Sequence, residues 1–294
     1  MNSLIRRLSS KATPVRFAEV ATGGNIEVRA PSHQNAVDLI PGWNHAFPDR
    51  YGLKAGSIAL FDDPRIHWAI EQFGDLADKR VLELGPLEAA HTSMLDRCNP
   101  AVLDVVEANV AAYLRCLIAK QVYDLRRARF HLGNFVPWLE RSEFQLGALL
   151  PWRKRARRYD LIIGSGVLYH MHDPVHLLEL MARRADAVYL WTHYFDAGAM
   201  PQGDLRGFAF TEYTRTVRRR KLSICLHSRS YHGAERNLTF CGGLSDLHYW
   251  MEKPAILDVL RLCGFDDIRT AHDEPSHPNG PAISIFARRS DPRR

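Results

Sequence analysis

Two hydrophobic periods alternate along residues 80–192. Short apolar runs, such as Val81, Leu82 and Leu84, contain no turn residue and predict buried strands. The segments between these runs carry apolar residues three or four positions apart, which is typical of helices packed on one face. The pattern predicts strand 80–84, helix 87–97, strand 102–107, helix 109–121, strand 128–133, a short helix at 135–141, strand 160–165, helix 174–185 and strand 187–192.

Strands that alternate with helices in this way form a parallel sheet with right-handed crossovers and helices on both faces. A helix at 254–262 and strands at 267–271 and 282–287 follow near the end of the chain. The Pro- and Gly-rich turn 275–281 joins the last two strands, so we expect them to be antiparallel. The predicted fold class is α/β: a doubly wound, mostly parallel, seven-stranded Rossmann-like sheet with an antiparallel last strand.

Four regions are predicted along the chain. Residues 1–74 form a lead-in that ends in a covering helix, which begins at the N-terminal signal Asp63-Pro64. Residues 75–194 form the α/β core. Residues 195–250 interrupt the alternation with glycines, aromatic residues and basic residues, and are interpreted as a cap inserted beside the site. Residues 251–294 complete the core sheet.

Composition limits the class of protein. The chain has 294 residues, 46% of them hydrophobic, which is enough for a sizeable core. No apolar run approaches the roughly 18 residues that a membrane span needs. Its five cysteines are scattered without a Cys-x-x-Cys pair, which argues against disulfides or a zinc site and favours a reducing, cytoplasmic location. The basic N-terminal segment faintly resembles a mitochondrial presequence, but a solvated tail is the preferred interpretation.

The residues at the strand ends carry the candidate chemistry. Gly85 and Pro86 stop the first strand, and a helix follows, so the loop between them forms a cradle for a nucleotide-like ligand. Glu107 ends the second strand, 24 residues after Glu83. That spacing is close to the roughly 20 residues expected of a carboxylate that takes ribose hydroxyls. The alternative for Glu107 is a solvated carboxylate at a strand end.

Glu83-Leu84-Gly85 resembles the first motif of the class I S-adenosylmethionine (SAM)-dependent methyltransferases, and residues 159–174 resemble their fourth strand and the loop after it. The family usually has a further Gly after Gly85, where Glu88-Ala89-Ala90 stands here. The resemblance implies SAM as cofactor and a binding site built from Glu83, Gly85, Pro86, Glu107, Ala108, Asn134, Phe135, Ser165, Gly166 and Val167. Glu83 and Asn134 could instead cap helices, and Gly166 would approach the cofactor through its backbone.

Four residues are candidates for the catalytic side of the site. In this architecture the end of the fifth strand faces the methyl acceptor, which makes His193 the first choice for a general base. Tyr169 and Tyr194 are expected to position the acceptor, while His170 is either a base or a packing residue against the cofactor. The alternative for His193 is a hydrogen-bonding residue beneath the cap. His277 and Asn279 lie in the last turn and could border the acceptor, although a plain turn explains Asn279 nearly as well.

No metal site is predicted. His172 and His176 have a spacing that, together with His170, could hold a metal ion. However, His172 precedes Asp173-Pro174, a helix-start signal, and no cysteine lies near it.

The preferred function is a SAM-dependent methyltransferase acting on a small-molecule or glycan-like acceptor, with oxygen as the expected target. Residues 166–170 also resemble the corresponding segment of tRNA wobble-uridine carboxymethyl transferases, which use a carboxylated SAM and would need a cationic residue near the transferred group. A nicotinamide-dependent oxidoreductase is disfavoured by the missing Gly-x-Gly-x-x-Gly and the reversed last strand. A non-catalytic RNA-binding module would use the basic runs 153–158 and 218–221 with Trp152, and the net charge of +6 and pI of about 9.1 permit an anionic partner.

Overall fold

The computed structural model describes residues 26–141, 158–237 and 239–291. The N-terminal tail and most of the basic run 153–158, with Trp152, lie outside these ranges. The helices are α1 (His33–Leu39), α2 (Pro64–Phe73), α3 (Ala90–Arg97), α4 (Val110–Tyr123), α5 (Phe135–Glu140), α6 (Pro174–Arg184) and α7 (Lys253–Leu262). The strands are β1 (Arg80–Leu84), β2 (Val102–Glu107), β3 (Ala128–Leu132), β4 (Tyr159–Ser165), β5 (Ala185–His193), β6 (Phe210–Arg219), β7 (Leu222–Arg229), β8 (His248–Met251), β9 (Asp267–Glu274) and β10 (Ala282–Arg288).

The main sheet has seven strands in the order β3-β2-β1-β4-β5-β10-β9. The strands from β3 to β5 are parallel, whereas β10 runs antiparallel to both of its neighbours. Ala282 of β10 is paired with His193 of β5 in this register. The predicted doubly wound sheet with a reversed last strand is therefore confirmed.

Alternating side chains of the central strands build a core on each face of the sheet. Leu82 and Leu84 pack with α6, α7 and part of the cap, whereas Val81 packs on the opposite face with α2, α3 and α4. Side chains that alternate along a strand point to opposite faces, which explains why these strands are almost continuously apolar. Asp63 caps α2 by accepting from the backbone N–H of Arg65 at 2.9 Å, as its position before Pro64 predicts.

The prediction that the helix after β1 begins at residue 87 is wrong, because α3 begins at Ala90. Leu87 and Ala89 have φ angles of +57° and +61°, in the left-handed region, and break the helical path. This conformation is costly for residues that carry a Cβ atom, so the apolar spacing alone gave no sign of it.

Residues 210–251, which lie almost wholly in the predicted cap, contain a second sheet that the sequence pattern did not predict. Its strands are antiparallel in the order β6-β7-β8, and they place Trp250 and Arg229 side by side near the carboxyl ends of β4 and β5. In the described part of the chain, no helix is long and apolar enough to cross a membrane.

Candidate functional site

A cavity of about 440 Å³ lies beyond the carboxyl ends of β1, β2 and β4. Because β1 and β4 are neighbours from which the chain winds in opposite directions, the loops that follow them diverge and leave a crevice. The structure brings seven of the ten predicted cofactor residues to its walls: Gly85, Glu107, Ala108, Asn134, Phe135, Gly166 and Val167. Glu83, Pro86 and Ser165 do not line it. Gly85 and Glu107 thus share one hollow.

The loop after β1 has an unusual backbone. Gly85, Leu87 and Ala89 all have left-handed φ angles, at +63°, +57° and +61°. A Cβ atom on Gly85 would lie 2.8 Å from Cγ1 of Val167, so glycine is required there for space as well as for conformation. Three residues of this loop are in the left-handed conformation although only Gly85 is a glycine. Their conformations set the path of the backbone along the cavity.

Glu107 holds that loop in place. Its Oε2 accepts from the backbone N–H of Leu87 at 3.1 Å, and its Oε1 accepts from the N–H of Asn109 at 2.8 Å. The side chain is buried, and this burial raises the pKa of the carboxyl above its usual value. Each carboxylate oxygen can accept a second hydrogen bond, so Glu107 can also receive two hydroxyl donors from the cavity side.

Glu83 has a different environment from Glu107. It is a buried residue of β1 and accepts a 2.5 Å hydrogen bond from the hydroxyl of Thr92 on α3. Burial raises the pKa of its carboxyl to about 7. This position ties β1 to α3, and a direct contact of Glu83 with a cofactor stays a prediction.

Asn134 serves as a helix cap and also lines the cavity. Its Oδ1 accepts from the N–H of Val136 at 2.8 Å, which caps α5. The side chain reaches the cavity next to Phe135 and Ala108. The two interpretations of Asn134 are compatible, since an amide oxygen has two lone pairs and the amide group has two further donors.

The loop after β4 forms the opposite wall. Gly166 has a φ angle of +81° and donates its N–H to the carbonyl of Trp191 at 2.8 Å. That bond ties the loop to the end of β5. Val167 and His170 follow it and line the cavity.

Residues 240–245, which lie in the predicted cap and are called the cap loop, complete the cavity, and sequence reasoning missed them. The N–H of Gly243 donates to the hydroxyl of Tyr231 at 2.7 Å, and that hydroxyl lies 2.6 Å from Nδ1 of His170. A Cβ atom on Gly243 would lie 2.5 Å from the carbonyl oxygen of His170. The cap loop therefore packs directly against the loop after β4. Because this contact joins residues far apart in the chain, no local sequence pattern predicts it.

The lead-in is joined to the first motif by Glu88, which sequence reasoning also missed. Its buried carboxylate accepts from the backbone N–H groups of Asn44 and His45, both at 2.8 Å. Arg115 of α4 lies 3.3 Å from it. Burial raises the pKa of Glu88, and these donors oppose that shift.

An aromatic cluster lies at the ends of β4 and β5, next to the cavity. We define it as Tyr169, Trp191, His193, Trp250 and His277. The His193 ring stacks on Trp250 with centroids 5.1 Å apart and planes 5° apart, and its centroid is 4.6 Å from that of Tyr169. Tyr169, Trp191 and His277 are partly exposed, and the cluster adjoins the cavity through Gly166 and His170, although none of its five residues lines the cavity itself.

His193 is held as a neutral imidazole within the aromatic cluster. Its Nδ1 lies 2.8 Å from the carbonyl oxygen of Gly280 and must donate, since a carbonyl only accepts. The lone pair is then on Nε2. Burial lowers the pKa of His193 to about 4, so the ring is unprotonated at neutral pH. It has the protonation state of a general base, and that catalytic role stays a prediction.

The other predicted catalytic residues are placed differently. His170 lines the cavity, and burial lowers its pKa to about 3, which suits packing against a ligand. Tyr194 is buried away from the cluster, and its hydroxyl donates to Asp273 at 2.8 Å. Asn279 is exposed beside His277.

The three histidines considered for a metal do not come together in the described residues. His170 lies near Tyr231, whereas His176 lies 2.9 Å from Glu140. Within the part of the chain that the structure describes, the donor group compact enough for an ion is a different one: Cys225, His227 and Glu252, whose donor atoms lie within 4.8 Å of one another.

No known protein-family model matches the sequence, and no curated protein is detectably similar to it. Among solved structures, the N-terminal domain of EvdMO1 with SAH bound matches at a TM-score of 0.62 and 22% identity, covering 87% of this chain and 95% of that domain. The same domain in the presence of SAH and D-fucose matches at 0.61 and 22%, with the same coverage. The full EvdMO1 structure matches at 0.54 and 20%, and there the match covers 87% of this chain and 46% of that one.

These likenesses agree with the strand order and show that the chain shares the Rossmann-like fold of the SAH-bound EvdMO1 domain.

Proposed function

We propose that this chain is a SAM-dependent methyltransferase that transfers a methyl group to a hydroxyl of a small-molecule or glycan-like acceptor. One observation carries the proposal: Gly85, Glu107 and Gly166, which come from three strand ends, line a single cavity. The cavity has the volume expected of a small-molecule site.

The geometry supports a specific arrangement of the cofactor. The adenosine would lie across the strand ends, with its ribose hydroxyls on the free lone pairs of Glu107 and its adenine beside Asn134 and Phe135. Gly166 allows the backbone of the β4 loop to approach the amino-acid end. SAM supplies the reactive methyl group, so the chain has to orient the two reactants and accept a proton.

The aromatic cluster supports the acceptor side. Trp191 and Tyr169 offer partly exposed ring faces, which suit a sugar ring or an aromatic acceptor. Nε2 of His193 would receive the proton of the attacking hydroxyl, while Gly280 holds the ring through Nδ1. A glycan-like acceptor also agrees with the similar EvdMO1 domain, which was crystallised in the presence of SAH and D-fucose.

Methyl transfer tests the proposal directly. The purified chain would be incubated with SAM labelled in its methyl group and with sets of free sugars, nucleotide-linked sugars and phenols. We expect labelled product with at least one set, and mass spectrometry should place the methyl group on oxygen. A chain that binds neither SAM nor SAH would refute the proposal, whereas RNA binding that weakens steeply with salt would favour the RNA-binding alternative.

A further inference from the structure

Arg229 lies at the end of β7 and enters the region of the aromatic cluster without a polar partner. Its guanidinium carbon lies 4.1 Å from the ring centroid of Trp250 and 4.7 Å from that of Phe210. Within the described residues, Arg229 makes no hydrogen bond or ion pair through its side chain, and its Nε is buried with no acceptor.

Each of the other buried or half-buried arginines in the described residues has a polar partner for at least one guanidinium nitrogen, although the Nε of some, such as Arg215, also lacks an acceptor. Arg65 pairs with Asp63 at 2.6 Å, and Arg289 donates to backbone carbonyls, including that of Ala185 at 2.6 Å. The charged or polar groups that act most on Arg229 are tyrosines, Tyr231 and Tyr169, rather than carboxylates. Burying a guanidinium without an anion costs free energy, and the contacts with the rings of Trp250 and Phe210 offset part of that cost but supply no hydrogen-bond acceptor.

A second unsatisfied donor lies beside Arg229. Trp250 is only 2% exposed, and its Nε1–H has no acceptor in the described structure. Buried indole N–H groups usually find a partner. Two donors without acceptors, from stacked side chains, indicate that an oxygen-rich group from outside the chain belongs here.

The position of these donors places that group next to the proposed chemistry. Trp250 stacks on His193, and the centroid of the Tyr169 ring lies 5.9 Å from that of Trp250. Burial lowers the pKa of Arg229 to about 10, so the guanidinium stays charged at neutral pH, and its charge further lowers the pKa of His193. Arg229 therefore lies one ring away from the predicted base.

We propose that Arg229, with the indole N–H of Trp250, binds a carboxylate carried by the methyl acceptor, which makes the acceptor a hydroxy acid such as an acidic sugar. A guanidinium offers parallel N–H donors that match the two oxygens of a carboxylate. This inference rests on the proposed function, because it assigns the acceptor class of the same site.

The experiment uses matched probes that differ in charge. Glucuronate and glucose, and 4-hydroxybenzoate and 4-hydroxybenzamide, are titrated against the full chain with and without SAH, and tryptophan fluorescence reports binding. Wild type, Arg229→Gln, Arg229→Lys and the control Arg218→Gln are compared, since Arg218 is an exposed arginine on the neighbouring strand β6. Thermal melting checks that each variant folds.

We expect the wild type and Arg218→Gln to bind at least one acid about ten times more tightly than its neutral partner. Arg229→Gln should lose that preference and Arg229→Lys should keep part of it, with the affinity for SAH unchanged in all four proteins. A wild type without a preference for acids, or a preference that survives in Arg229→Gln, would overturn the inference.

A second comparison measures the binding of SAM and of carboxylated SAM to the same proteins. A wild type that binds carboxylated SAM more tightly than SAM, with the difference lost in Arg229→Gln, would also overturn the inference, because the carboxylate would then belong to the cofactor. Failure of the proposed function is separately visible as a wild type that does not bind SAH.

Discussion

The backbone N–H of Leu87 donates to Oε2 of Glu107 at 3.1 Å, across the floor of the cavity. This bond joins the loop after β1 to the end of β2, and both of its partners line the cavity. Leu87 has a φ angle of +57°, which is costly for a residue with a Cβ atom. The hydrogen bond from its N–H to the Glu107 carboxylate stabilises this conformation.

Ala89 tests the strain in the loop. The residue has a φ angle of +61°, where glycine carries no steric penalty. We expect Ala89→Gly to raise the free energy of unfolding by about 0.5–1 kcal/mol. The same change at Ala119, buried within α4, should lower it by about 1 kcal/mol or more. Urea unfolding measures both, and equal losses in the two variants would contradict the strain assignment.

Glu83 predicts a pH dependence of stability. Burial raises the pKa of Glu83 in the folded chain to about 7, from an ordinary value of 4.5. As the pH rises, the unfolded chain therefore loses the proton of Glu83 at a lower pH than the folded chain does. The stability contributed by the protonated carboxyl is present below pH 4.5 and is lost as the pH rises through about 7, by at most about 1.4 kcal/mol per pH unit.

Glu83→Gln isolates that effect, because the amide keeps an acceptor for Thr92 and cannot ionise. The buried histidines with lowered pKa values, such as His193, destabilise the fold as the pH falls below 6.5, but both proteins share them. We expect the variant to gain stability relative to wild type between pH 5 and pH 8 in urea titrations. A difference that is the same at both pH values would refute the raised pKa of Glu83.

His193 predicts a kinetic signature. With an acceptor that the wild type methylates, His193→Ala should lower kcat by about 100-fold or more and leave SAH affinity unchanged. His67→Ala, an exposed histidine on α2, is the control. Because the pKa of His193 is lowered to about 4, the acidic fall in activity should lie well below pH 6.5. A variant that loses cofactor affinity but keeps kcat would remove the assignment of His193 as the base.

Gly243 tests whether the cap loop shapes the cofactor site. An added Cβ atom would meet the carbonyl oxygen of His170 at 2.5 Å, so the loop has to move away. We expect Gly243→Ala to weaken SAH binding about tenfold in calorimetry, consistent with an overpacking cost of about 1–3 kcal/mol. Gly207→Ala, where a Cβ atom meets nothing within 4 Å, should bind as wild type does. Equal affinities for all three proteins would show that the loop is not part of the site.

The sequence predicts the sheet well because strand and helix periods are local properties. Glu107 and Gly85 could be placed together for the same reason, since the ends of parallel strands meet at one edge. The left-handed Leu87 could not be predicted, because its conformation depends on a hydrogen bond that its N–H donates to Glu107, 20 positions further along the chain. Gly243 and Arg229 were missed because their partners are brought to them by the tertiary fold, not by neighbours in the chain.

Calorimetric titration of SAH tests the central claim most directly, because the claim is that Glu107 and the loop it holds bind the adenosine of the cofactor. The wild type and Glu274→Ala, which removes an exposed carboxylate at the end of β9, should bind SAH with similar micromolar affinity. Glu107→Ala, shown to be folded by circular dichroism, should bind about 100-fold more weakly, a loss of about 2.7 kcal/mol. A Glu107→Ala protein that binds SAH as tightly as the wild type would contradict the account.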